Sequence, residues 1–351
     1  EQCMPTAAGV RRRQMLLGTL AWAAGAVHAR PAAPGPYAER PEVREFVDSE
    51  LAGHGVPPDW AVQVLATGRR STQAERLMTP TLTPPPRDWT RYRARALDES
   101  RLREAVAFHR AHRRTLARAD DEFGVPAEIV VAIIGIETVF GRVMGTFRTL
   151  DVLLTLAFDY PRRAAFYRQE LAHFLVLGHR GRIDVLKQTG SFAGAIGLPQ
   201  FMPSSIRQYA LDYDGDGLTD LARSPADAIG SVASYLHRHG WQREQAVMFD
   251  AVANEAIAEQ LGRGIVAAYP WAEVAELGVR IDGYLPPDTR VVLLDLPYLQ
   301  EDQSTDYQYR IGTVNLATIL HYNRSYFCGA AVAEFAATLR AQTEAGVDAS
   351  G

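Results

Sequence analysis

Cysteine is nearly missing from this sequence: among 351 residues only Cys3 and Cys328 occur. That excludes a disulfide-rich scaffold, so a folded chain must draw its stability from an apolar core. A surplus of basic charge is missing as well. Lys and Arg number 37 against 41 Asp and Glu, a formal net charge of −4, whereas a nucleic-acid binder is usually basic. No internal repeat is present. What is present is 47% hydrophobic and 22% charged residues, the balance of an ordinary globular protein of one large or two to three small domains.

The apolar run MLLGTLAWAAGAV from Met15 is too short to span a bilayer as a permanent helix. Arg11, Arg12 and Arg13 precede it, Val27-His28-Ala29 offers the small residues of a signal-peptidase site, and the Pro-rich RPAAPGP follows. This predicts an export signal over residues 1–29, cleaved after Ala29. A core helix is the alternative, which the flanking arginines and prolines disfavour. No cysteine stands just after the run, at the cleavage site, so a lipid anchor at the signal is unsupported and a soluble periplasmic protein is expected. Residues 1–29 carry three Arg and one Glu, net +2, which leaves −6 for the remainder. Cys3 would leave with the leader, and the single remaining thiol makes no internal disulfide.

Downstream, REFVDSELAGHGVPPDWAVQVLA reads as two short helices broken at Gly-Val-Pro-Pro, and TPTLTPPPRDW, residues 79–89, as an extended linker. From Glu99 to about Ala119 the pattern is helical, with Leu102, Val106, His109, Arg113 and Leu116 on one face. Helices are expected at Pro126–Phe140, Pro161–Leu177 and Pro225–His239, each with a proline in its first turn, where a missing N–H costs little. Strands are expected only between about Val279 and Arg310, at RVVLLDL (Arg290–Leu296) and DYQYR (Asp306–Arg310). The fold class is mainly α with a small β element near the C-terminus. The expected division is an N-terminal helical region over 30–118, a catalytic core over 119–245, an α/β region over 246–340 and a tail over 341–351.

Within IIGIETVFG, Glu137 is the one ionisable residue of an apolar stripe shared with Val130, Ile133 and Ile134. An ionised carboxylate in such a setting is costly unless it is paired or protonated. Either it is exposed on the last turn or paired, for example to Arg142, or burial holds it as a general acid. Arg162 and Arg163 open a helix, where the macrodipole disfavours cations. They face an anionic ligand or form salt bridges to Asp159 or Glu170. In GSFAGAIGLPQFMPSS, Gly190, Gly194 and Gly197 let backbone approach a ligand, and Ser191 and Gln200 suit sugar hydroxyls and acetamido groups. The stretch lacks the lysine of a phosphate-binding loop.

These segments carry a resemblance. IIGIETVFGRVMG, LAFDYPRRAAFY, GSFAGAIGLPQFMPSS, DYDGDG, AIGSVASYLHRHGW and HYNRSYF occur in the order found in the membrane-bound lytic murein transglycosylase B family, over about Val56 to Leu339. The resemblance implies a lysozyme-like helical catalytic core. It implies cleavage of the β-1,4 bond between N-acetylmuramic acid and N-acetylglucosamine in peptidoglycan, leaving 1,6-anhydromuramoyl ends. A glycosidase normally needs two carboxylates; in this family the substrate supplies its own nucleophile, so Glu137 would act as acid and then as base. By the same match Ser191 and Gln200 lie near the acid, Arg162 and Arg163 line the groove, and Tyr92, Tyr235, Tyr322 and Asn323 are groove residues. One departure is Cys328, where the family usually has an aromatic residue.

DYDGDGLTD places Asp212, Asp214 and Asp216 at positions 1, 3 and 5 of a calcium loop, Gly217 at 6, the Leu218 carbonyl at 7 and Asp220 at 9. Position 12 is Arg223, where an EF-hand has a glutamate. The resemblance implies a longer loop closed by a later aspartate, and Asp227 is the candidate. A structural Ca2+ is one reading of this EF-hand-like loop; an acidic surface turn is the other. No cofactor is expected for the chemistry. The expected partners are glycan strands and cell-wall remodelling complexes, with a monomeric enzyme. The alternatives to a lytic transglycosylase are a hydrolytic muramidase and a catalytically silent peptidoglycan-binding protein.

Overall fold

The computed structural model describes residues 37–348, so the expected leader lies outside the described residues. At the centre runs the helix Ala127–Thr138, buried at every residue from Ile129 to Thr138. A helix that is apolar on all sides needs neighbours on all sides. Glu99–Ala111, Arg113–Phe123, Pro225–Arg238 and the long Tyr326–Asp348 supply them.

How this helix stops matters for the site. Val139 and Phe140 take left-handed backbone, φ 50° and 55°, and Gly141 follows at 93°. For a β-branched residue such a conformation is a steric outlier costing about 1–3 kcal/mol. The Thr138 hydroxyl helps to hold it, donating to the Leu198 carbonyl at 3.0 Å and accepting from the Gly141 N–H at 3.2 Å. The chain thereby leaves the core one turn after Glu137 and ties that turn to the Gly-rich segment.

A second helical pair, Thr149–Phe158 and Ala164–His179, flanks the centre, and the N-terminal helices lean on it. Beyond lies a five-stranded antiparallel sheet. Its order is Tyr269–Pro270, Arg290–Leu299, Thr305–Gly312, Met248–Val252, Arg280–Ile281. Arg290–Leu299 is apolar on both faces from Val291 to Leu294, where both are covered. Val292, Leu294 and Leu296 enter the main core, while Val291 and Leu293 join a second cluster with Leu261, Val274, Val279 and Ile311.

The mainly helical class and the late β element are as expected, with corrections in detail. The Glu99 helix is interrupted at His112, and the next begins at Arg113. Pro126 is an N-cap rather than a first-turn residue. The helix expected from Pro161 starts at Ala164, capped by Arg163. Strands also occur before Val279, including Met248–Val252. Cys328 is not a lone thiol but disulfide-bonded. It is 2% exposed within the main core, so it forms no wall of the cleft described next. Among the described residues no helix is long and apolar enough to cross a membrane.

Candidate active site

Glu137 sits in the last turn of the central helix and is 8% exposed. Burial pushes its carboxyl up to about 8, against a hydrogen bond from the Asn323 side chain that favours the ionised form. Arg142, the candidate ion-pair partner, binds Glu104 instead at 3.0 Å. The glutamate is therefore neither exposed nor neutralised by that arginine, and at neutral pH its protonated form dominates.

It opens on a cavity of about 420 Å3 that also takes in Arg163, Ser191, Gln200, Tyr235, Tyr322 and Asn323. Each arrives by a local device. The Ser191 hydroxyl accepts the Ala193 and Ala195 N–H groups at 3.3 and 3.1 Å, which leaves its proton to donate elsewhere. Gln200 stands in left-handed backbone, φ 50°. Its amide nitrogen donates to the Gly197 and Met144 carbonyls at 2.9 and 3.2 Å, so its oxygen remains an acceptor.

Tyr235 and Tyr322 spend their hydroxyls inside the protein, donating to the carbonyls of His321 at 3.0 Å and of Pro199. They meet edge to face at 4.9 Å, so they offer the cavity ring surface, which suits the apolar faces of sugars.

Arg163, at φ 64°, lays its guanidinium 4.3 Å from the Phe166 ring centre. Neither expected salt bridge forms. Asp159 binds Arg40 at 2.7 Å, and Glu170 accepts the Ser204 N–H and hydroxyl at 2.9 and 2.7 Å. Arg163 has no ion-pair partner among the described residues.

Two expected groove residues are not part of this cavity. Arg162 is exposed beside it. Tyr92 packs on Trp89 and Phe327 with its buried hydroxyl unbonded; burial, and after it the Glu137 carboxylate, disfavour ionisation of that hydroxyl. The sequence reading in turn missed Phe166, Tyr167 and Glu170, which line the cavity with Arg163. Phe166 and Tyr167 stand four and three residues before Glu170 on the helix that Arg163 caps, and that spacing was the available signal. Glu170 is a second carboxyl in the cleft. Both its oxygens are held by Ser204 in the first turn of Pro203–Tyr209, so it fastens that helix rather than standing free.

Apart from the cleft, the acidic loop brings Asp212, Asp214 and Asp227 together, with one carboxylate oxygen of each within 4.8 Å of the others. Asp216 turns back to the Leu218 N–H at 2.8 Å and stands outside that cluster; Leu218 is 62% exposed. Asp220 pairs with Arg223 at 2.7 Å. Asp227 is 1% exposed and accepts the N–H groups of Tyr213, Asp214 and Asp220. Three converging carboxylate oxygens fit a hard divalent cation, with Asp212, Asp214 and Asp227 as the side chains that would hold it.

A helical core that presents one protonated carboxyl to a cleft of rings and hydrogen-bonding side chains defines a carbohydrate-cleaving enzyme. Residues 38–337 match the family described as Transglycosylase SLT domain, and the chain belongs to that family. It is 39% identical over 299 residues to membrane-bound lytic murein transglycosylase B of Escherichia coli K12, covering 83% of this chain and 80% of the relative. The lytic transglycosylase SltB1 of Pseudomonas aeruginosa superposes with a TM-score of 0.80 at 38% identity, over 87% of this chain and 99% of that one. The lytic transglycosylase Slt35 of E. coli in complex with calcium gives 0.76 at 37% identity, over 88% and 95%. The fold is the lysozyme-like one of Slt35.

Proposed function

We propose that this protein cleaves peptidoglycan by a lytic transglycosylase reaction in which Glu137 is the only acid and base. The carrying observation is a buried carboxyl, raised to about 8, in a cleft whose other carboxyl is held by Ser204. Neutral Glu137 donates its proton to the glycosidic oxygen between N-acetylmuramic acid and N-acetylglucosamine as the C1–O bond breaks. The carboxylate so formed takes the proton of the muramoyl C6 hydroxyl while that oxygen attacks C1. The glycan is cut, the 1,6-anhydro ring closes, and Glu137 regains its starting state. Ser191 and Gln200 supply a donor and an acceptor to the sugar's polar groups, Tyr235 and Tyr322 ring surface, and Arg163 a cation for stem-peptide carboxylates.

The acidic loop in this reading holds a structural Ca2+ between Asp212, Asp214 and Asp227, with Asp216 and the Leu218 carbonyl completing the set after local rearrangement. Slt35 in complex with calcium supports it. No step is routed through the ion. The setting is the cell wall of the periplasm, with glycan strands as substrate and wall-remodelling complexes as the place of work for a monomeric enzyme.

The test is mass spectrometry of fragments released from purified peptidoglycan, run beside Glu137→Gln. Products about 18 Da lighter than their hydrolysed counterparts are expected, because no water is added; the variant should release none. Reducing-end products would assign a hydrolytic muramidase, and no products at all a binding protein.

A further inference from the structure

The sheet offers a second site. On one of its faces Asp295 pairs with Tyr309 and Pro297 with Tyr307 across adjacent strands. At one end that face is sealed by Leu293, Ile311 and the helix Glu255–Leu261. At the other end the helix stands off and leaves a cavity of about 320 Å3 lined by Glu255, Glu259, Arg263, Asp295, Tyr307 and Tyr309. It shares no lining residue with the Glu137 cleft.

The cavity is built rather than incidental. Tyr307 and Tyr309, two apart on one strand, stack at 6.3 Å with 24° between their planes, and neither hydroxyl is hydrogen-bonded among the described residues. The turn after the helix is pinned twice: Tyr269 donates to the Leu261 carbonyl at 2.9 Å, and the Tyr326 hydroxyl bridges the N–H and C=O of Gly264 at 2.8 and 2.7 Å. This sets Arg263, whose Nε donates to Asp295 at 2.9 Å. Glu255 and Glu259 lie four apart on the helix, the spacing at which like charges destabilise it, and neither has an ion-pair partner among the described residues.

We propose that this cavity is a second carbohydrate site, holding uncharged N-acetylated sugars of the glycan strand away from the Glu137 cleft. Paired rings give a platform for sugar faces, and carboxylates accept hydrogen bonds from sugar hydroxyls. Arg263 is offset by Asp295, so Glu255 and Glu259 leave the cavity negative and turn anionic ligands away. The choice of glycan rests on the function proposed above. In effect the site holds the enzyme on insoluble wall while the cleft works.

The full chain carrying Glu137→Gln binds without cutting, so the retention it loses on peptidoglycan sacculi and on chitin, an uncharged N-acetylglucosamine polymer, when only the sheet cavity is altered reads this site. Adding Tyr307→Ala and Tyr309→Ala should weaken retention on both by about tenfold or more. Glu255→Gln with Glu259→Gln, on the exposed face of the helix, should lower retention without threatening the fold. With Glu137 intact, the double tyrosine variant should cleave short soluble fragments within about twofold of the parent, because the two sites are independent. Unchanged retention in both double variants overturns the proposal. Retention on sacculi with none on chitin overturns the uncharged sugar in favour of the strand's peptides. Missing anhydro products from the parent would instead sink the transglycosylase reading and leave the chitin comparison standing.

Discussion

Glu137 and Asp227 are both buried carboxyls at helix ends, 8% and 1% exposed, and their surroundings fit them for opposite tasks. Glu137 lies in a last turn, where the helix dipole opposes negative charge, and Asn323 hydrogen-bonds it. Asp227 lies in a first turn, where the dipole favours negative charge, and it accepts three backbone N–H groups. Burial opposes the charge of each. What differs is which end of a helix each occupies and how many donors converge on it. The first arrangement keeps a proton available to a substrate; the second fixes a charge that closes a loop.

Exchanging each group for a shape-matched or truncated one breaks this comparison most directly. Glu137→Gln should lower turnover of peptidoglycan by about a thousandfold or more, since one group serves two proton transfers. Its stability should not fall. The wild-type folded pKa lies above the unfolded one, so the glutamate costs nothing below pH 4.5 and destabilises progressively as pH rises through about 8. The variant should thus melt above wild type at pH 8 and beside it at pH 4, as thermal unfolding will show. Residual activity within tenfold of wild type would remove Glu137 from the chemistry.

Asp227→Ala should do the reverse. It strands three backbone N–H groups, a loss of roughly 3 kcal/mol in denaturant titrations, while the folded fraction keeps its turnover per molecule. Calcium sharpens the contrast. At a hundredfold excess over Kd it should stabilise the wild type by about 2.7 kcal/mol relative to chelator, and Asp227→Asn much less. Equal melting with ion and chelator would count against the metal. Smaller still, Asn323→Leu removes a bond that favours ionised Glu137, so the alkaline limb of its pH–rate profile should move upward. An unmoved or lowered limb would show that Asn323 does not tune the acid. The smallest change is Tyr322→Phe, which loses only the hydroxyl's bond to Pro199, about 1 kcal/mol of stability.

The comparison also marks what the sequence could tell. Glu137 was legible because a lone charge interrupts an apolar helical stripe, and the Ser191–Gln200 stretch because its glycines let backbone approach a ligand between two neutral hydrogen-bonding side chains. Asp227 was reached only through the family resemblance, because the spacing of DYDGDG puts Arg223 at the closing position. The corrections have physical causes. Tyr92 sits on a helix whose packing turns it onto Trp89 and Phe327, and Arg162 and Arg163 lie in the turn before a helix, where the left-handed backbone of Arg163 aims the two side chains apart. Phe166 and Tyr167 entered only as part of the motif LAFDYPRRAAFY and Glu170 only as a salt-bridge partner for the arginines; the Ser204 contact, which locates the neighbouring helix, shows Glu170 to be occupied there instead. The left-handed turn at Val139 and Phe140 goes against local preference, so only the surrounding fold reveals it.

The central claim is that one glutamate of this chain waits in its protonated form at neutral pH. The pH dependence of kcat/KM on a soluble peptidoglycan fragment reports the free enzyme's essential acid and tests it most directly. The account predicts that kcat/KM declines only as pH rises through about 8. A decline through the ordinary carboxylate range, about 4 to 5, would contradict it.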